Sequence, residues 1–388
     1  MRARYTEWDS KGTSPFGGSR AKPWSLSVRH HRALGQGGNG VNEKERLLGV
    51  LRGEAIPEAP CICPGGMMNA IVVDLMDRCG IAWPEAHTDP AMMAELARAV
   101  YDHAMFENYG VPFCMTVEAE TLGAPVDMGN RECEPHVSGY VIDGVERWAE
   151  LPEPDLSRGR ARVVIEAIER LKRTGKEGVP IIGNLTGPLS LATSLADPID
   201  FYKSLRRKNE DAHALMRRVT DMLTAFGTAQ AAAGADVLAI SDPSGTGEIL
   251  GARYFREFAV RYLNEMIRGV RRAFPNLPFI VHICGQMKNV FAELAAVEAD
   301  AFSFDAMVSL RAAREHLAPR KVMGNVSSFG LAFASEAKVQ AMARSALNMG
   351  SDILAPACGL GTRSDIRSIQ ALLRAAKRNR EEALLCKI

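Results

Sequence analysis

The stretch ADVLAISDPSGTGEILGARYFREFAVRYLNEMIRGVRRAFPNLPFIVHICG, residues 235–285, decides the fold. It opens on an apolar run, ADVLAISDPSG (235–245), that stops on Asp, Pro, Ser and Gly, residues that end strands and form turns. A helical stretch at 252–274 follows, and a second apolar run, PFIVHICG (278–285), ends on glycine. Strand, helix and strand in that order read as a parallel β/α unit.

The same alternation extends in both directions. Further β-rich runs stand at 59–66 (APCICPGG), 112–120 (PFCMTVEAE), 179–188 (VPIIGNLTGP), 301–305 (AFSFD), 321–327 (KVMGNVS) and 352–360 (DILAPACGL), which brings the count to eight. Helical stretches separate most of them. Residues 89–110 carry apolar residues at three- and four-residue spacing and stop at Gly110, residues 197–234 are long enough for two helices, and 121–160 leaves room for a small hairpin. Eight parallel β/α units close into a TIM barrel. An open doubly wound sheet is the alternative, but no run is followed by GxGxxG or by a phosphate-binding GxxxxGK[ST] loop. The expected fold is therefore an α/β TIM (β/α)8 barrel, a single domain over 43–388. Residues 1–42, rich in Gly, Ser, Arg and Lys and without amphipathic period, read as a partly ordered N-terminal extension. His30 and His31 fall in it and read as solvated.

Composition excludes several classes. Of 388 residues, 47% are hydrophobic and 24% charged, which rules out a disordered chain. Lys and Arg number 47 against 46 Asp and Glu, a net charge of +1 that gives no footprint for nucleic acid or an anionic membrane. No apolar run approaches the ~20 residues of a membrane span. The eight cysteines are scattered through a long chain, which fits a reducing, cytoplasmic setting better than a disulfide scaffold. The oligomeric state stays open.

A barrel puts its chemistry where the strands end. The ends read Cys61/Cys63, Glu118/Glu120, Asn184/Thr186, Asp242, His282/Cys284, Asp305, Asn325 and Cys358. Alternation along a strand points His282 and Cys284 to one face and Ile283 to the other. Closure of the barrel brings Cys358 across the mouth to join them. One imidazole and two thiolates form a three-ligand zinc set with an open fourth position. Taken singly, each residue has a plainer reading: a strand cysteine as a small core hydrophobe, a strand-end histidine as a general base or a structural residue. Cys61 and Cys63 form another same-face pair, a further metal pair or simply small residues at a tight turn. Met67 and Met68 follow, and could floor a large flat ligand or merely pack.

The segments SDPSGTGEILGARYFREFAVRYL (241–263), VHICGQ (281–286), DAFSFD (300–305), VMGNVS (322–327) and DILAPACGL (352–360) resemble, in order, the C-terminal half of the uroporphyrinogen decarboxylase superfamily. EAETLGAPVDMG (118–129) and GNLTGPLSLA (183–192) resemble its N-terminal half, so the likeness runs over about 43–380. It is strongest to the branch of methylcobamide:coenzyme M methyltransferases and related corrinoid-dependent enzymes. The resemblance implies a TIM barrel and zinc held by His282, Cys284 and Cys358. The decarboxylases themselves carry an arginine-bearing motif here, where this chain reads CICPGGMMNA (61–70), so decarboxylation of a polycarboxylate is disfavoured.

The expected reaction moves a methyl group between a corrinoid, as methylcobalamin or on a corrinoid protein, and a thiol activated on Zn2+. Glu118 is the candidate for a fourth zinc ligand, and Asp242 or Asp305 for the acceptor that orients His282. Asn184 and Asn325 are candidate substrate partners, and Met67 a candidate corrinoid contact. No DxHxxG motif of cobalamin-binding modules is present, so the corrinoid is expected on a partner or free in solution. Two other readings stay open: loading of methyl from an ether, amine or halide onto a corrinoid protein, and a non-catalytic barrel that docks such a protein.

Overall fold

Six strands form one parallel sheet in the computed structural model, which describes residues 41–56 and 58–385. In sheet order they are β1 (Tyr109–Val111), β4 (Ile181–Thr186), β5 (Val237–Ser241), β6 (Phe279–Ile283), β7 (Ala301–Phe304) and β8 (Lys321–Met323). Every residue of β4 to β7 is buried, as expected where helices cover one face and a packed interior the other. The ring closes through two segments that form single bridges rather than strands. Cys61 pairs in parallel with Leu354, and Met323 with Ile353. Ile62 N donates to Leu354 O (3.0 Å), Leu354 N to Pro60 O (2.8 Å), and Glu107 N to Cys61 O (2.9 Å). Pro60, Pro64 and Pro356 have no N–H to give a ladder, which keeps both segments short. The eight-unit barrel expected from the sequence is thus present, and the chain from Val41 onward is one compact unit.

Two expectations need correction. The run at 112–120 is not a strand: β1 ends at Val111 because Pro112 cannot continue the ladder, and Val117–Thr121 is a short helix. Glu118 and Glu120 therefore stand on a helix after the strand end. The helix at Pro90–Asp102 stops well before Gly110, which lies in β1 opposite Ile182. A Cβ on Gly110 would stand 2.0 Å from Pro64 O, so glycine here admits the neighbouring backbone. The readings of 197–234 and 121–160 hold. Residues 197–234 form two helices, Pro198–Arg207 and Asn209–Ala233. The hairpin of 121–160 is β2 (Val126–Asp127) paired antiparallel with β3 (His136–Val137). No described helix is long and apolar enough to cross a membrane. Of the extension, residues 1–40 lie outside the described residues, as do His30 and His31.

Candidate metal centre

β6 delivers the first two donor groups. His282 is the fourth of its five residues and is 2% exposed, and Cys284 follows directly after the strand. His282 Nε2 lies 3.2 Å from Cys284 Sγ, and Cys284 Sγ lies 3.7 Å from Cys358 Sγ. All three donor atoms fall within 4.8 Å of one another, and among the described residues no other group of three or more His, Cys, Asp or Glu could hold a metal ion. Both cysteines are half-buried, so the cluster opens to one side.

Ser303 sets the imidazole. It sits on β7 in register with His282, and its Oγ is 3.0 Å from Nδ1, leaving Nε2 to face the cysteines. Met68 Sδ accepts from the same hydroxyl at 3.4 Å. Met67 Sδ lies 3.9 Å from Cys284 Sγ, which puts this sequence candidate at the site. The two thiols lie within hydrogen-bond reach of one another. Their mutual hydrogen bond holds Cys358 well below the usual thiol range and pushes Cys284 far above it, with His282 adding to the fall at Cys358. The donor set suits zinc. Zn–S bonds of ~2.3 Å in a tetrahedron place two sulfurs about 3.8 Å apart, close to the 3.7 Å found here.

The remaining candidates are held elsewhere. Glu118 is buried with both oxygens taken, Oε1 by Thr186 N (2.7 Å) and Oε2 by Thr186 Oγ1 (3.0 Å), so it does not complete the metal set. Burial raises its pKa against those bonds. Asp242 accepts from Ser190 N and Ser190 Oγ (2.7 Å each) and from Leu189 N (3.3 Å). It thereby caps the helix Pro188–Leu195 instead of orienting His282, and burial pushes it up to about 6. Asp305 accepts from Gly285 N (3.4 Å) and Met307 N (3.2 Å), bracing the turn behind Cys284; it too leaves His282 to Ser303. Asn184 Nδ2 donates to Pro64 O (2.8 Å) and Val111 O (3.1 Å), and Asn325 Nδ2 to Asp305 O (2.8 Å) and Val308 O (2.9 Å). Both amides pin backbone at the mouth rather than offer their donors to a substrate. Cys63 is buried and donates to Met68 O (3.0 Å), and neither it nor Cys61 joins the metal group. Sequence reasoning missed Ser303, whose role depends on register between strands. Glu134, in the loop between β2 and β3, accepts from Asn69 Nδ2 at 2.9 Å.

The family model for uroporphyrinogen decarboxylase (URO-D) matches residues 42–379. The chain belongs to this family. Within it, the URO-D barrel is 32% identical to the methylcobamide:CoM methyltransferase MtaA of Methanosarcina barkeri, over 86% of this chain and 96% of that one. It is 28% identical to a methylated-thiol–coenzyme M methyltransferase of Methanosarcina mazei, over 86% and 88%. A solved methyltransferase from Methanosarcina mazei superposes with a TM-score of 0.81 at 31% identity, covering 87% of this chain and 99% of that one. These relatives fall in the branch that the HxC and Cys segments indicated.

Proposed function

We propose that this URO-D family barrel is a zinc-dependent methyltransferase that moves a methyl group from a corrinoid to a thiol acceptor. The observation that carries the reading is the group of His282, Cys284 and Cys358, with donor atoms within 4.8 Å of each other and open on one side. The relatives named as methyltransferases with a methylcobamide and CoM support it. His282 Nε2, Cys284 Sγ and Cys358 Sγ would hold the zinc. When bound, zinc supplies a positive centre that keeps a substrate thiol ionised near neutral pH, where a free thiol with a pKa of ~8.5 is mostly protonated.

The chain's own residues do the rest. Ser303 fixes the imidazole in one orientation. Asp305 and Asn325 hold the turns behind Cys284 and after β7, so the open side keeps its shape. Met67 lays an uncharged, polarizable flank against Cys284, a suitable surface for a corrinoid face. The corrinoid arrives on a partner protein or as free methylcobalamin, and the protein works in the cytoplasm.

The test is a spectroscopic assay of methylcobalamin demethylation with a panel of thiols and zinc-loaded protein. At least one thiol is expected to give turnover that a chelator abolishes and zinc restores. Protein that binds about one zinc per chain yet demethylates with no thiol would overturn the reading.

A further inference from the structure

The cysteines of this chain stand in unlike surroundings. Cys61, Cys63 and Cys114 are buried. Cys63 Sγ donates to Met68 O at 3.0 Å, and Cys114 Sγ lies 3.4 Å from both Thr116 Oγ1 and Arg160 Nη1. Cys79 ends the helix Val73–Cys79, with its Sγ 3.7 Å from Ile81 O. Cys133 is exposed, its Sγ 3.7 Å from Glu134 O. Cys284 and Cys358 are different: both are half-buried at the barrel mouth, and their sulfurs face each other at 3.7 Å.

Cys358 is the fixed member of this pair. Ser328 Oγ donates to its carbonyl at 3.1 Å, and a Cβ on the following Gly359 would stand 2.4 Å from Met67 O, so backbone is pressed on backbone there. Cys284 is the member with room. It stands one position past the end of β6, outside the ladder, and Gly285 after it has a φ of +78°. A Cβ on Gly285 would meet nothing nearer than 3.6 Å, the carboxylate end of Glu248. The turn itself is held by a long hydrogen bond, from Gly285 N to Asp305 at 3.4 Å. Bonded sulfurs stand ~2.05 Å apart, so about 1.7 Å must be closed from the 3.7 Å found here. Rotation of the Cys284 side chain with a small movement of its turn supplies that shift.

We propose that Cys284 and Cys358 form a site of reversible oxidation, at which a hydroperoxide joins the two sulfurs as a disulfide and takes the donor set apart. The loss of metal that follows rests on the zinc reading above. In the first step the peroxide O–O bond breaks as one sulfur bonds an oxygen, giving a sulfenic acid, and the other oxygen leaves as hydroxide to become water. The second sulfur then attacks the first. The S–S bond forms as the S–O bond breaks, and a second water leaves. Each sulfur gives up one electron, and the peroxide takes both. The two protons come from the thiols, or from solvent where both are thiolates. A dithiol reverses the change through a mixed disulfide.

The spacing is what makes the change reversible. A sulfenic acid left alone climbs to sulfinic acid, from which thiols do not recover it, whereas a second sulfur in contact intercepts it first. Only the thiolate form of cysteine ligates metal, so oxidation leaves His282 as the sole donor of the group. The chain then works only in reducing surroundings.

The experiment treats the zinc-loaded full chain with small excesses of hydrogen peroxide under a metallochromic indicator, followed by alkylation and peptide mapping without reduction. The peptides of Cys284 and Cys358 should appear linked within one chain, with about one zinc released per link formed. Cys61, Cys63 and Cys114 should stay open to alkylation. Dithiothreitol should return both peptides to the reduced form, and added zinc should restore the starting metal content. In Cys358→Ala, Cys284 should stop at a sulfenic acid that dimedone traps, then pass to a sulfinic acid that dithiothreitol leaves unchanged. Sulfinic acid as the first product at either cysteine of the wild type overturns the inference, as does a link to Cys63 in place of this one. A chain that holds zinc and never links the pair also overturns it, while leaving the zinc reading intact. A chain that links the pair reversibly but takes up no zinc overturns the zinc reading and leaves the oxidation site standing.

Discussion

Ser303 and His282 face each other across β6 and β7, and that pairing decides which imidazole nitrogen is free for metal. A histidine ligand held through its second nitrogen loses roughly 10- to 100-fold in metal affinity when that partner is removed. Ser303→Ala should therefore weaken zinc binding by about that factor while Cys358→Ala weakens it far more, and both should remain folded. Competition against a chromophoric chelator measures the two together; equal affinity for Ser303→Ala and wild type would show that packing alone fixes the ring. The candidate ligands were legible in the sequence, because alternation puts His282 and Cys284 on one face and a strand end marks Cys358. Ser303 was not legible, since a hydroxyl in AFSFD gains its meaning only from register with a strand about 20 residues earlier. The acidic candidates failed for the same reason. What Glu118 and Asp242 bond lies 68 and 52 residues away along the chain.

At the scale of elements, apolar runs and turn formers located the strands of the ring, and proline decided where the pattern misled. Pro112 moved the strand read at 112–120 back to 109–111, and proline in the segments around Cys61 and Leu354 reduced two strands to bridges. The closing segment packs close against β1 at Gly110. A methyl group on Gly110 would meet Pro64 O at 2.0 Å, Pro64 C at 2.6 Å and Gly65 N at 3.0 Å, all of them backbone that cannot rotate away. Gly110→Ala should cost about 1–3 kcal/mol or more, the usual range for overpacking. It should also loosen zinc, because the displaced segment leads directly into the turn of Met67 and Asn69. Urea unfolding with and without zinc checks both effects. An unchanged midpoint would show that the closing segment yields without strain.

For the whole molecule, the ring is what turns distant positions into one site, since Cys284 and Cys358 stand 74 residues apart and meet at 3.7 Å. Ahead of the ring, the first described helix is anchored from its first turn. Asn42 caps the helix Glu43–Leu51: its side chain accepts from Glu45 N, and Glu45 reaches back to Asn42 N. Lys44 N donates to Gly178 O at 2.8 Å, and Arg46 pairs with Glu107 in the interior at 3.2 Å. Leu47, fully buried, anchors the same helix in the core. The helix that begins at Asn42 is thus tied to the barrel, whereas every candidate ligand lies beyond residue 60. A chain beginning at Val41 should keep its zinc, its unfolding midpoint and its turnover with free methylcobalamin. A chain beginning at Lys44 loses the cap, at a cost of about 1 kcal/mol, and should melt lower without losing the metal. Zinc content, thermal melting and demethylation rate, measured on both truncations, separate the cases. If the chain from Val41 stays folded but loses metal and turnover, residues 1–40 supply part of the site.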